Sequence, residues 1–436
     1  MKDYSGAFNP SLELTDFDHD VLANYGRDIM LANHIHDRSA LSQVAIQFGA
    51  QGQTDVACDE WMSSSPIYNH RNRQLLGIEG DDVSVALKGL QFDIGAPHNY
   101  LNFHYELVSP DEGYFWTSTC GPYNYMREMS GASEEAQIQI CHHMEDPTFD
   151  ATVMAVNPLM RCRPVYRPPL VEVPEKGPCK WLVSIQRDIG LVEDCPNLDK
   201  VKQTRAANFE FAKPTTTSVG LQNYSGEFIR DMCLEKLSHE SLALQCKEFM
   251  LDVLLLNYSC YTSIAVRFGE EQLLPIQTEQ WKALAPVTVH RLRKNFSIEG
   301  EDIAAILKVL QLNPFLPPEY FSLGYQQIST ERGLVWLEDC EAYREEVKRG
   351  IAGMLVTHPN QPGFDALAHA VNPRAQVKPL TCEEAPVDCV LAWEILIDST
   401  AEPAERSTWA DIVGQNMWDL DNSQHYYKYD YYDTFN

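Results

Sequence analysis

The chain has 436 residues and a formal net charge of −28, from 34 basic against 62 acidic residues. An acidic balance of this size repels phosphate backbones and anionic lipid, which sets aside nucleic-acid and membrane-surface partners. The length predicts two to three domains, each able to bury a core.

No apolar run reaches the ~18 residues of a spanning helix, and Met1-Lys2-Asp3-Tyr4-Ser5-Gly6 lacks the charged-then-apolar pattern of a secretory leader. A cytoplasmic protein is the expectation. Its twelve cysteines are then mostly reduced, and no two form a C-x-x-C pair.

In chain order, residues 18–49 predict one long helix, or two broken near Asp37, with Leu22, Ile29, Met30 and Ala45 at helical spacing. Pro66 to Leu76 predicts a helix with proline in its first turn, ending at Gly77. Asp81 or Asp82 is placed to cap a helix through Gln91. Tyr100 to Val108 alternates: Leu101, Phe103, Tyr105 and Leu107 share one face, Asn102, His104 and Glu106 the other. Ser109 to Gly113 turns the chain, and Tyr114 to Cys120 returns as a strand. Glu134 to His143 and Pro147 to Val156 predict helices, and a closing strand surrounds Trp181.

The same order occurs twice. Val44-Ala45-Ile46-Gln47-Phe48-Gly49 matches Ile264-Ala265-Val266-Arg267-Phe268-Gly269, Trp61 matches Trp281, and Lys88, Leu90 and Gln91 match Lys308, Leu310 and Gln311. Trp116 and Cys120 match Trp336 and Cys340, at a constant spacing (340 − 120 = 220). Beyond them the second copy is five residues shorter, so Phe149-Asp150 meets Phe364-Asp365 (365 − 150 = 215). A weaker match sets Cys179 to Val183 against Cys389 to Trp393. The fold class expected is α+β: tandem homologous domains at 18–190 and 236–398, packed as a pseudo-dimer, with a linker at 191–235 and an acidic aromatic tail at 399–436.

Reactive groups are densest in Cys141-His142-His143-Met144-Glu145-Asp146-Pro147-Thr148-Phe149-Asp150. Helical spacing pairs Cys141 with Glu145 and His142 with Asp146. A thiol beside an imidazole suits a nucleophile, and a carboxylate can orient the imidazole or hold a water. The second copy has Val356, Thr357, Asn360 and Gln361 at these four places, but keeps His143 as His358, Phe149 as Phe364 and Asp150 as Asp365. The catalytic candidates are therefore Cys141, His142, Glu145 and Asp146. The alternative is a helix end with a buried cysteine and solvated charges. His34, His98, His104, Glu106 and Trp116 are the substrate-binding candidates; Leu254 and Leu256 stand where the first copy has His34 and His36. No motif requires a cofactor. If a metal is bound, Cys120, Cys141, His142 and His98 form a donor set suited to zinc or iron. Phosphate-cradling, dinucleotide, serine-hydrolase and H-E-x-x-H motifs are absent.

The hairpin ending in Phe115-Trp116-Thr117-Ser118-Thr119-Cys120, then Cys141 with its acidic pair, Asn157-Pro158 and a strand beginning at Cys179, resembles the L-2-amino-thiazoline-4-carboxylic acid hydrolase-like family. That family is similar in turn to 4-vinyl reductase-type ligand-binding domains. The resemblance implies a helix-plus-sheet domain with an apolar pocket. It also implies water addition to a cyclic C=N carbon followed by C–N cleavage, with Cys141 and Asp146 at the matching positions. The functional expectation is a hydrolase or lyase-like enzyme acting on a small, partly apolar, C–N-containing molecule. A non-catalytic protein binding a hydrophobic ligand or a metal is the alternative, and a homo-oligomer is compatible with either.

Overall fold

Apolar spacing carries the first helix further than residue 49. In the computed structural model, which describes residues 1–421 apart from 132, 189, 191–194, 216–217 and 350–361, α1 runs His19–Leu76. Its one break is at Gly49, where φ 76° and ψ 178° interrupt the ladder. Only glycine takes such a conformation without strain. The helix expected to start at Pro66 therefore starts well before it, and Pro66 lies inside it. Gly77 ends α1 in the left-handed conformation (φ 63°), as expected of a terminal glycine.

Asp82 caps α2 (Val83–Leu90) by accepting from the Val85 N–H at 3.2 Å. The hairpin forms β1 (Leu101–Ser109) and β2 (Glu112–Cys120). Two short helices, α3 (Gly121–Ser130) and α4 (Glu134–Ile138), lead to a π-helical turn at Gln139–Met144 and then α5 (Glu145–Met154). Two strands close the sheet where one was expected, β3 (Met160–Tyr166) and β4 (Cys179–Ile185). The sheet is antiparallel in the order β1-β2-β4-β3. Two short helices follow, α6 (Leu198–Lys202) and α7 (Arg205–Asn208).

The second domain has the same plan: α8 (His239–Phe268), α9 (Leu273–Phe296), α10 (Ile303–Gln311), β5 (Leu323–Gln327), β6 (Arg332–Leu337), α11 (Glu341–Arg349), α12 (Pro362–Val371), β7 (Ala375–Leu380) and β8 (Leu391–Ile397). Its sheet order is β5-β6-β8-β7. A last helix, α13, covers Trp409–Val413. This is an α+β protein of two similar domains. Strand register corrects one sequence match. Phe115 pairs with Trp181 and its counterpart Val335 with Trp393, so Trp393 is the equivalent of Trp181, and Leu391, not Cys389, is the equivalent of Cys179. The Phe149–Trp181 edge contact (4.8 Å) accordingly has its copy in Phe364–Trp393 (4.8 Å).

The halves meet about an approximate two-fold axis. Phe48 stacks on its own counterpart Phe268 at 3.8 Å. Arg71 makes a bidentate pair with Glu248, and Arg291 pairs with Asp28, the same contact exchanged between halves. Contacts repeated in both directions mark an isologous interface. The terminal arms also cross. Lys308 donates to the Tyr4 and Gly6 carbonyls at 2.8 and 2.6 Å, and Lys88 to those of Tyr224 and Gly226 at 3.3 and 2.5 Å. Each lysine lies 4.8 Å over its tyrosine ring, a cation–π contact. Residues 221–235, part of the stretch read from sequence as linker, are thus the counterpart of residues 1–15.

Among the described residues one helix, α8, is long and apolar enough by composition to cross a membrane, contrary to the reading of the sequence. Its most apolar stretch is 89% buried inside the protein, and α8 packs along α1. Its apolarity therefore serves the interface between the halves.

Candidate functional site

The apolar face of the first sheet (Leu101, Phe103, Thr117, Cys179) roofs a cavity of about 420 Å³. Both arms of α1 supply one wall, through His34, Asp37, Arg38, Ala57 and Trp61. Tyr125, Met126, Ile140, Met144, Glu145 and Phe149 close the rest from α3, the π-helical turn and α5. An apolar hollow with a few convergent polar groups is the usual form of a small-molecule site.

The reactive stretch is held in place by a local conflict. Pro147 in the first turn of α5 has no N–H to give the His143 carbonyl, and that carbonyl accepts from the Cys58 thiol at 3.3 Å instead. The turn before it is π-helical, a form that often marks functional sites. Glu145 reaches the cavity from this join. Its Oε2 is covered and has no hydrogen-bond partner. Burial raises its pKa to about 8, only partly opposed by Arg167, so at neutral pH it is mostly a neutral acid.

The other members of the expected catalytic set are placed differently. Cys141 is buried behind the cavity wall, and burial, with Glu145 and two further thiols nearby, pushes its own thiol far up. Cys120 is pushed up by burial to about 12. Neither is a ready thiolate. His142 donates through Nε2 to the Pro168 carbonyl at 2.7 Å, a bond that orients the ring toward the chain before β4. Asp146 forms a two-oxygen pair with Arg167 and faces a separate outer groove. Asp150 ties α5 to β3 by accepting from the Cys162 N–H and Arg163.

Among the substrate-binding candidates, His34 lines the cavity, bonded to the Gly95 carbonyl at 3.1 Å, and burial lowers its pKa to about 4. The other four lie outside it. His104 stacks on Trp116 at 5.5 Å and bonds Ser118 on the opposite face of the sheet; burial first, and Arg230 second, lower its pKa to about 4. Glu106 is exposed on that same face. His98 bonds the Gln91 carbonyl at 3.3 Å. The alternation of β1 had already set His104 and Glu106 opposite the apolar face, and the cavity is under the apolar face.

Sequence reasoning missed Asp37, Arg38, Glu60, Asp93 and Tyr100. Asp93 accepts from Tyr68 (2.9 Å) and the Gly95 N–H (2.8 Å), and burial raises its pKa to about 6. Arg38 is buried, stacked at 3.8 Å over Tyr125 and bonded to Tyr100 and to the Val413 and Gln415 carbonyls. The signal for the acids was available. At the constant spacing of the halves, Asp37, Glu60 and Asp93 correspond to Asn257, Gln280 and Asn313. Shape is kept and charge is removed at all three.

The four-residue metal set does not converge: among the described residues, three ligand atoms come within 4.8 Å of one another at His36, Glu60 and Cys260. The equivalents of the reactive stretch, Val356, Thr357, His358, Asn360 and Gln361, lie outside the described residues, as does the aromatic tail beyond residue 421. Compared with family models, curated proteins and solved structures, the chain matches none.

Proposed function

We propose that the first domain takes up a small, largely apolar molecule carrying one basic or hydrogen-bond-accepting nitrogen, and acts on it as a hydrolase or lyase-like enzyme. Glu145 is the proton donor and acceptor. The observation that carries this reading is a carboxyl lining an apolar cavity, one of its oxygens covered and without a partner, with its pKa raised to about 8. A carboxyl poised near neutrality is what general acid–base work on a C–N bond needs. The neighbouring Asp93 and Arg38 are already bound to protein groups and fix the shape of the site. Cys141 is buried close to Glu145 as a neutral thiol.

The buried, protonated thiols favour one second reading, a non-catalytic binding site for the same class of molecule. A panel of cyclic amidines, thiazolines and lactams separates the two. Binding is read by ligand-observed NMR and turnover by mass spectrometry of products. The enzyme reading expects turnover by wild type and by Cys141→Ala, and its loss in Glu145→Gln with binding kept. Binding without turnover across the panel supports the second reading, and no binding at all defeats both.

A further inference from the structure

A second cluster of reactive side chains lies apart from Glu145, at the seam between the halves. His36 and Glu60, from the two arms of α1, meet Cys260 from α8. One ligand atom from each lies within 4.8 Å of the other two. His36, Glu60 and Cys260 are each fully buried. His36 Nδ1 is 3.5 Å from Glu60 Oε1 and 3.5 Å from Asp37 Oδ1. Neither separation is a good hydrogen bond. Both ring nitrogens of His36, both oxygens of Glu60 and Oδ1 of Asp37 are covered and lack a hydrogen-bond partner. Buried polar atoms nearly always have partners, so this cluster of orphans, in which His36 Nδ1 faces Glu60 Oε1 and Asp37 Oδ1, calls for something to satisfy it.

We infer that His36, Glu60 and Cys260 bind one divalent transition metal of the zinc class, with Asp37 beside His36 as an outer partner, and so fasten the two halves together. Bonds of about 2.0–2.1 Å from nitrogen and oxygen at a tetrahedral centre leave such ligands about 3.4 Å apart. The 3.5 Å separation of His36 Nδ1 from Glu60 Oε1 fits that spacing. An imidazole, a thiolate and a carboxylate suit zinc better than magnesium or calcium, which take oxygen donors. The surroundings are arranged for it. Asp37 accepts from Trp61 Nε1 at 3.1 Å through Oδ2, leaving Oδ1 turned to the cluster, as outer-shell partners do. The nearest arginine in sequence, Arg38, is committed elsewhere and does not neutralise the acids.

The two-fold axis supplies the control. The positions equivalent to His36, Asp37, Glu60 and Cys260 hold Leu256, Asn257, Gln280 and Ala40. The interface therefore packs at the mirrored place without these donors. Variants built from those residues, His36→Leu, Glu60→Gln and Cys260→Ala, introduce side chains that the fold already carries at the mirrored place.

The test uses the full chain, grown with zinc and desalted, with metal content read by plasma mass spectrometry. Wild type is expected to hold about one equivalent per chain, and each variant about tenfold less. Stripping the metal lowers the melting temperature of wild type and leaves Cys260→Ala unmoved. Cobalt(II) added to stripped wild type gives a thiolate-to-cobalt charge-transfer band that Cys260→Ala lacks. That spectrum keeps the proposal testable if a variant folds poorly. A wild type that comes out metal-free, takes up neither zinc nor cobalt and shows no such band overturns it, leaving a protonated His36 held between two acids. None of these readouts depends on turnover, so this site and the Glu145 site can fail separately.

Discussion

The two halves share their long helices, strand order and interface contacts, yet differ in how they use polar groups. In the second half, Tyr258 stands at the place of Arg38 and hydrogen-bonds Glu346, whose counterpart Met126 lines the first-half cavity. In the first half, polar side chains converge on a hollow instead. Asn257, Gln280 and Asn313 keep the outline of Asp37, Glu60 and Asp93 while removing their charge. A charge buried without compensation is costly, so it persists only where something is gained from it. The comparison therefore separates a scaffold common to both halves from chemistry confined to one.

The largest effect should come from the shared part. Removing Arg71 strands the buried Glu248 carboxylate, a loss of about 3–5 kcal/mol. Arg291→Ala strands Asp28 across the axis, and urea unfolding should show a loss of similar size. A large loss for one and none for the other would break the claim of an exchanged interface.

Next is the part that differs. Glu145 has a raised pKa, so between its ordinary value of 4.5 and about 8 the native state binds a proton that the unfolded chain has released. Stability contributed by the protonated form is full below the lower value. It falls as pH rises through the window, by at most about 1.4 kcal/mol per unit. Glu145→Gln should flatten the pH dependence of the melting temperature in that window.

A smaller effect follows from carrying a second-half residue into the first. Ala57 lines the cavity, and its counterpart is Gln277. Ala57→Gln should weaken ligand binding about tenfold, equivalent to about 1.4 kcal/mol, with little change in melting temperature. The smallest is Asp150→Asn. It weakens the exposed pair with Arg163 and should cost about 1 kcal/mol or less in the melting experiment.

Much of the fold was legible because its signals are local. The cap at Asp82, the alternation of β1 and the stop at Gly77 each depend on neighbours in sequence. Pro66 misled because tertiary packing holds a helix through it, as it does through Pro286 in α9. β3 was missed because Arg161, Arg163 and Pro164 mask its alternation. Of the expected catalytic set, Glu145 alone lines the cavity. Cys141, His142 and Asp146 sit on the same stretch but face the core, the Pro168 carbonyl and Arg167. Density of reactive residues in sequence carries no direction. The acid-to-amide exchange between halves did carry the information, since it compares equivalent positions in one fold.

The most direct test is the protonation state of Glu145, read as the infrared difference between wild type and Glu145→Gln across a pH titration. A protonated carboxyl band that persists at neutral pH and disappears with a midpoint near 8 is the expected result. A carboxylate already ionised at pH 6 would contradict the account, because the cavity would then hold an ordinary solvated charge.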